Sequence, residues 1–403
     1  MNSLLNSDVA IVGGGIAGLW LLARLRQRGY GALLIDNQGL GAGQTLCAQG
    51  IIHGGAKYSL GGRLSDSATA IAGMPALWRR CLRGEDEIDL RDARVLADHQ
   101  YLWATRAPTS WLAAFFASKL MDGRMEKITG ATDRVDYPPA LRHPRFRGTV
   151  YRLDEPVVDV ASVLTAFAVR YRAAILLNQG PVTLKADGTL TLRHAGQPTW
   201  AIRPACTVFT AGAGNAGLPW ATLQLRPLHM VMARDINFLP KRYSIPGPLY
   251  AHCLGARDVP RLTVTTHYDA GGRLIWYLGG GLAEEGVKRD RHEQIRAARR
   301  ELKALLPWVD WKSVEFATFT IQRAEAAQPG GGRPATTSLV RDGRVIAAWP
   351  TKLALAPLLA GQIEDVLQGL GVRPRPVDLR PLADWPRPEL AACPWNREDL
   401  EWS

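Results

Sequence analysis

Cysteine is scarce and follows no pairing pattern. The five residues Cys47, Cys81, Cys206, Cys253 and Cys393 are scattered through a chain of 403. No Cys-x-x-Cys occurs, which argues against a zinc knuckle or disulfide framework and fits a reducing compartment. The eight histidines are equally dispersed, so no metal constellation is predicted. No Gly-x-x-x-x-Gly-Lys loop is present, which removes the P-loop nucleotidases, and no spacing supports a Ser-His-Asp triad. Long apolar runs are missing too. The longest uncharged one, Val9 to Ala23, holds fifteen residues and is interrupted by Gly13, Gly14 and Gly15, too short for a membrane-spanning helix. The N-terminus lacks a basic region followed by a cleavage site. A cytoplasmic protein is expected, with peripheral membrane attachment left open.

What is present describes a folded chain. Hydrophobic residues make up 47% and charged residues 21%, which excludes a largely disordered protein. Gly 40 and Pro 26 carry no period, so collagen-like and repeat architectures fail. At this length two domains are expected. Lys+Arg 49 against Asp+Glu 37 gives a net charge of +12. The excess is spread along the chain, and suits nucleic acid, an anionic membrane surface, an anionic substrate or none of these.

The first forty residues carry the clearest pattern. Val9-Ala-Ile-Val12 reads as a buried strand, Leu19 to Arg28 as a helix stopped by Gly29, and Ala32-Leu-Leu-Ile35 as a second strand ending at Asp36. In Gly13-x-Gly15-x-x-Gly18 the first glycine permits a tight turn, the second lets a pyrophosphate approach the backbone, and the third lets helix and strand pack. The helix N-terminus offers unpaired N–H groups to phosphates. Asp36 would accept ribose hydroxyls and repel a 2′-phosphate, which leaves NAD or FAD.

Three later segments favour the longer cofactor, FAD. Gly43 to Gly55 is a polar glycine loop carrying Gln44, Thr45, Gln49 and His53. Thr210-Ala-Gly-Ala-Gly214 is a second glycine turn after a strand. Gly343 to Leu353 leads a strand into a helix expected from Thr351 to Leu367. Further helices are expected at about Arg63 to Arg83, Val160 to Arg172 and Arg291 to Leu306, the last with Ile295, Ala298, Leu302 and Leu305 on one face. The thirteen tryptophans form no stripe, and the Pro- and Trp-rich last thirty residues read as an extended tail on the surface.

With these motifs the sequence resembles the FAD-dependent oxidoreductases of the D-amino-acid oxidase and glycerol-3-phosphate dehydrogenase superfamily. The resemblance runs from about Asp8 to Leu370. It is strongest in Ile11-Val-Gly-Gly-Gly-Ile-Ala-Gly18, Gly50-Ile-Ile-His-Gly-Gly55, Ala211-Gly-Ala-Gly214 and Leu355-Ala-Pro357. Ile52-His-Gly-Gly55 with Tyr58 is most similar to the glycerol-3-phosphate and 2-hydroxyglutarate dehydrogenase branch.

The resemblance implies an α/β chain with a discontinuous Rossmann-like FAD domain (1–85, 148–225 and 335–371). A mixed α+β substrate domain (86–147 and 226–334) is inserted into it, and a tail (372–403) follows. It further implies that Gly13, Gly15, Ile16, Ala17 and Gly18 hold the pyrophosphate, Asp36 and Asn37 the adenosine ribose, and Gln44 and Thr45 the phosphates and ribityl chain. Gln49, Gly50, Ile51 and Ile52 would line the isoalloxazine, Val182 the adenine, and Ala211 and Gly212 the diphosphate. Lys352, Leu353 and Ala354 would meet the pyrimidine edge. There this chain departs from the family, with Trp349-Pro-Thr-Lys352 in place of glycines and Thr351 as the expected helix cap.

Hydride transfer to flavin also needs a proton acceptor and anchors for substrate charge. His53 is the candidate base or substrate contact. Arg323, in Ile321-Gln-Arg-Ala-Glu325, is the candidate carboxylate partner, although relatives show Arg-Pro, which here occurs at Arg333-Pro334. Lys57, Tyr250, His252 and Tyr277 are candidate pocket lining, and His229 reads as structural. The expected activity is oxidation of a C–N or C–OH bond of a small, anionic molecule (an amino acid, 2-hydroxy acid or polyol phosphate). Electrons would leave to oxygen, a quinone or another carrier. Two other readings stay open: action on a modified tRNA nucleoside, and a non-catalytic FAD subunit of a larger dehydrogenase.

Overall fold

A computed structural model describes residues 3–54, 71–105, 125–128, 134–236, 247–255 and 259–403. The described residues build two eight-stranded sheets and a two-stranded ribbon, Val95–Ala97 with Val157–Val158. The first runs in the order Ser338–Asp342, Val345–Trp349, Trp200–Phe209, Ser3–Val12, Ala32–Asp36, Ile175–Leu177, with Leu190–Leu192 paired to Trp200–Phe209 off this path and Thr183–Leu184 paired to Leu190–Leu192. Its four pairings from Val345–Trp349 to Ile175–Leu177 are parallel. Parallel strands need covered faces, which is why Ala32–Asp36 is buried along its whole length. The helix Ile16–Gln27 packs against Val160–Arg170 and Ala356–Gly369 to cover one face. Trp20 lies at its centre, 4.7 Å from Trp78 and 5.6 Å from Phe167.

The second sheet is mostly antiparallel, in the order Glu315–Ala326, Leu223–Arg234, Leu274–Gly279, Leu262–Tyr268, Ala251–Cys253, Gln100–Ala104, Thr149–Leu153, Met125–Ile128. The helix Arg291–Leu305 packs on it through Ile295, Ala298, Leu302 and Leu305, as the apolar spacing predicts. Asp290 and Glu293 close its first turn as a capping box.

Several expectations need correction. Thr149–Leu153, assigned to the FAD domain by the expected boundary at 148, pairs inside the second sheet. The C-terminal helix begins at Ala356 after a short 3-10 turn, Leu353–Leu355. Thr351 does not cap it, because its hydroxyl donates to the Thr336 carbonyl at 2.7 Å. Nor is the tail merely surface chain. Trp385 is buried and donates to the Leu177 carbonyl, Trp395 stacks on His267 at 4.1 Å, and Ser403 exchanges two backbone bonds with Phe316. Apolar aromatics this large gain too much from burial to remain in solvent. His229 is structural, its Nδ1 3.0 Å from the Gly286 carbonyl oxygen. Among the described residues no helix is long and apolar enough to cross a membrane.

Candidate active site

One cavity of about 1180 Å³ lies between the two sheets. Its first wall is the C-terminal end of the parallel sheet, the usual ligand position in such folds. Gly13 takes φ +112° there, and a Cβ on it would come within 2.7 Å of the Ala211 Cα. A Cβ on Gly18 would come within 2.1 Å of the Gly13 carbonyl oxygen. The two glycines therefore let the turn nest against Thr210–Ala211 and the helix against its strand. Gly15 caps the helix Ile16–Gln27 with no side-chain bond, and the first turn holds no acid, so the positive end of the helix opens on the cavity.

Asp36 ties the turn together. Its Oδ2 accepts from Gly14 N–H at 2.6 Å, while Oδ1 accepts from Gln38 and Gly39 N–H at 2.9 and 2.8 Å. Each carboxylate oxygen has two lone pairs, so Oδ2 keeps one acceptor position on the cavity that Asp36 lines. The Thr45 hydroxyl accepts from Ile16 N–H at 3.2 Å and retains its own proton to donate.

The next wall is the loop that carries His53. The Gln49 amide donates to the Tyr277 carbonyl at 3.1 Å, and Tyr277 OH donates to the Cys47 carbonyl at 2.9 Å, fastening the loop to the second sheet. His53 Nδ1 lies 3.2 Å from Glu155 Oε2, and its ring stacks at 5.8 Å on His252. His252 Nδ1 meets Thr263 Oγ1 at 2.7 Å.

The far wall is the long antiparallel pair Leu223–Arg234 and Glu315–Ala326. It places Arg226 directly opposite Arg323. Arg226 pairs with the buried Glu325 at 3.1 Å. Arg323 donates from Nε to the Arg226 carbonyl at 3.2 Å and stands 3.9 Å from Glu284, with no other hydrogen bond to the described residues. Burial, then Arg226 and Arg333, pull its pKa down to about 10. Gln44 steadies this strand by accepting from Ala324 N–H at 3.0 Å.

A helix end open to anions, an acid with a spare acceptor position, and a cleft running on to a second sheet fit a dinucleotide. The family model for the DAO group, described as FAD dependent oxidoreductase, matches residues 8–345. The chain belongs to that family. Its cofactor is FAD. It is 44% identical over 404 residues to a probable FAD-dependent oxidoreductase of Pseudomonas aeruginosa, PA4991, covering 98% of this chain and 99% of that one. The crystal structure of PA4991 superposes with a TM-score of 0.80 at 40% identity over the same shares. Glycine oxidase from Geobacillus kaustophilus shares the fold, with TM-score 0.60, 17% identity and coverage of 94% and 98%. So does FAD-bound L-alpha-glycerophosphate oxidase from Mycoplasma pneumoniae, with TM-score 0.60, 13% identity and coverage of 90% and 95%.

In this FAD-dependent oxidoreductase the cavity gathers Gly13, Gly15, Ile16, Ala17, Asp36, Asn37, Gln44, Thr45, Gln49, Gly50, Ile51, His53, Val182, Ala211, Gly212, His252, Arg323, Lys352 and Leu353. Gly18, Ile52 and Ala354 lie behind that surface. Tyr250 and Tyr277 do not line the cavity. Tyr250 packs on Ile51 and Val157, and Tyr277 stacks on Phe319, both with hydroxyl pKa values pushed up by burial. Lys57 lies outside the described residues. Lys352 is buried, its ammonium donating to the Ala335 carbonyl at 3.5 Å.

Sequence reasoning missed Glu155, Thr263 and Glu284. Glu155 is 102 positions from His53, and no local spacing links them. Only the pairing of distant segments does.

Proposed function

We propose that this oxidoreductase oxidises the C–N or C–OH bond of a small anionic molecule: an amino acid, a 2-hydroxy acid or a polyol phosphate. FAD, when bound, supplies the two-electron acceptor for the hydride that leaves the substrate carbon. The residues that would hold it are those of the Gly13–Gly18 turn, Asp36, Thr45 and the Gln49–Ile51 loop, with Lys352 and Leu353 at the far end. His53 would take the proton lost from substrate oxygen or nitrogen, leaving a carbonyl or imine. Arg323 would pair with the carboxylate or phosphate. Oxygen, a quinone or another carrier would then take the electrons.

The observation that carries this reading is Arg323. A guanidinium with one hydrogen bond, partly stripped of water, facing another guanidinium across the strands and reached by Glu284 only at 3.9 Å, is an incompletely paired charge that a substrate anion would complete. It stands on the wall of the same cavity as the helix end that would receive the cofactor.

The test is anaerobic mixing of the FAD-loaded protein with glycine, L-proline, 2-hydroxyglutarate and glycerol 3-phosphate, following loss of the visible flavin band. At least one anionic compound should bleach it. Arg323→Ala should raise the concentration required by about 100-fold, as loss of a charged hydrogen-bonded pair does. Bleaching that neither Arg323→Ala nor His53→Gln alters would overturn the assignment.

A further inference from the structure

We infer that Glu155 is the positioning residue of this site: it holds His53 in the tautomer whose basic nitrogen is Nε2. The inference rests on the reading of His53 as proton acceptor. Glu155 occupies the two-residue approach, with Pro156, to the short strand Val157–Val158. That segment runs beside the His53 loop as a small ladder. Ile52 N–H donates to the Pro156 carbonyl and Val158 N–H to the Gly50 carbonyl, each at 2.9 Å, and Ile51 bridges to Val157. The ladder brings the Glu155 carboxylate, 4% exposed, up to the loop.

Three groups converge on its two oxygens. Oε1 accepts from Gly54 N–H at 2.7 Å, and Oε2 accepts from the Gln100 amide and lies 3.2 Å from His53 Nδ1. A carboxylate only accepts, so Nδ1 must carry the proton of a neutral ring and Nε2 the lone pair. His53 lines the cavity, and the His252 ring stacks beside it, 18° from parallel with the centroids 5.8 Å apart. When Nε2 takes the substrate proton, the imidazolium stands beside a buried carboxylate. The same second partner orients and stabilises histidine bases elsewhere.

Glu155→Gln makes a specific reversal. Its single carbonyl must serve Gly54 N–H, which turns an NH2 group toward His53 Nδ1 and forces the proton to Nε2. Gln100 can follow, because its own Oε1 is buried without a partner and can turn to accept from the new amide.

The experiment is a long-range ¹H–¹⁵N correlation spectrum of FAD-loaded, histidine-labelled protein, recorded where the rings are neutral. His53 is assigned by its loss in His53→Gln. The wild type should show protonated Nδ1, Glu155→Gln protonated Nε2, and Glu155→Asp protonated Nδ1 again. A wild-type ring protonated at Nε2 overturns the inference even if the variants do not fold, and so does an unchanged pattern in Glu155→Gln. With whichever of the four compounds bleaches the wild type, Glu155→Gln should slow reduction at saturation about 100-fold with KM little changed, and Glu155→Asp should recover much of it. If His53→Gln reduces its flavin at the wild-type rate, the proton-acceptor reading fails. The tautomer result, taken without substrate, separates that failure from a wrong assignment of Glu155.

Discussion

Arg323 and His267 are both basic side chains taken out of water, and each leaves a measurable mark. For Arg323 the mark is on stability. Burial has drawn its pKa from 12.5 to about 10, so its charge costs the folded state on the order of 1–3 kcal/mol. Arg323→Met should therefore melt higher than the wild type, while an added anionic substrate no longer raises its Tm. Differential scanning calorimetry with and without the anion checks both halves. His267 is fully buried under Trp395, and burial pulls its pKa from 6.5 to about 3. The unfolded chain takes up this proton below pH 6.5 and the folded protein does not. The stability present above pH 6.5 is thus lost as the pH falls toward 3, by about 1.4 kcal/mol per unit. His267→Gln should flatten that acid limb in urea titrations between pH 6 and 4.

At the scale of elements, the glycine turn and the C-terminal segment act in opposite ways. The turn works by having no side chains. Gly18→Ala would push a methyl group into the Gly13 carbonyl and the Thr210 hydroxyl. It should cost about 1–3 kcal/mol and release FAD on gel filtration. Gly361→Ala, on the helix Ala356–Gly369 with nothing within 4 Å of its added carbon and no place in the cavity wall, should do neither. The tail works by having large ones. Leu40, four residues after Asp36, pairs with the tail through Glu389 and Ala391, and Trp402 lies under the Arg234 guanidinium at 4.1 Å. Removing residues 386–403 takes away contacts to both sheets. It should lower Tm by on the order of 5–10 °C and weaken FAD retention, read by scanning fluorimetry and by flavin in the filtrate.

At the scale of the whole molecule, the two large sheets of the described residues face one cavity, joined across it by Gln49 to Tyr277, Tyr277 to Cys47 and Gln44 to Ala324. A ligand spanning that cavity stabilises only the closed, folded form. Stripping FAD should lower Tm, and restoring it at 100 times its Kd should return about 2.7 kcal/mol. An unchanged Tm would mean that the cofactor has no preference for the folded form.

Local chemistry made the first βαβ unit legible. The strand, the turn, the helix and Asp36 are neighbours in the chain, and each glycine there answers a steric demand set within a few residues or at one close approach. The capped helix Arg291–Leu305 was legible for the same reason, since periodicity and caps are local. The sequence alone therefore determined a dinucleotide fold and the kind of residue at its phosphate turn. Tertiary structure decided the rest. It moved Thr149–Leu153 into the second sheet, drew the tail into the core, withdrew Tyr250 and Tyr277 from the cavity and put Glu155 against His53. Those outcomes depend on which distant strands pair and in what register, and a shift of one residue turns every side chain to the other face. No spacing within the chain encodes that choice. The energy of packing the two sheets together does.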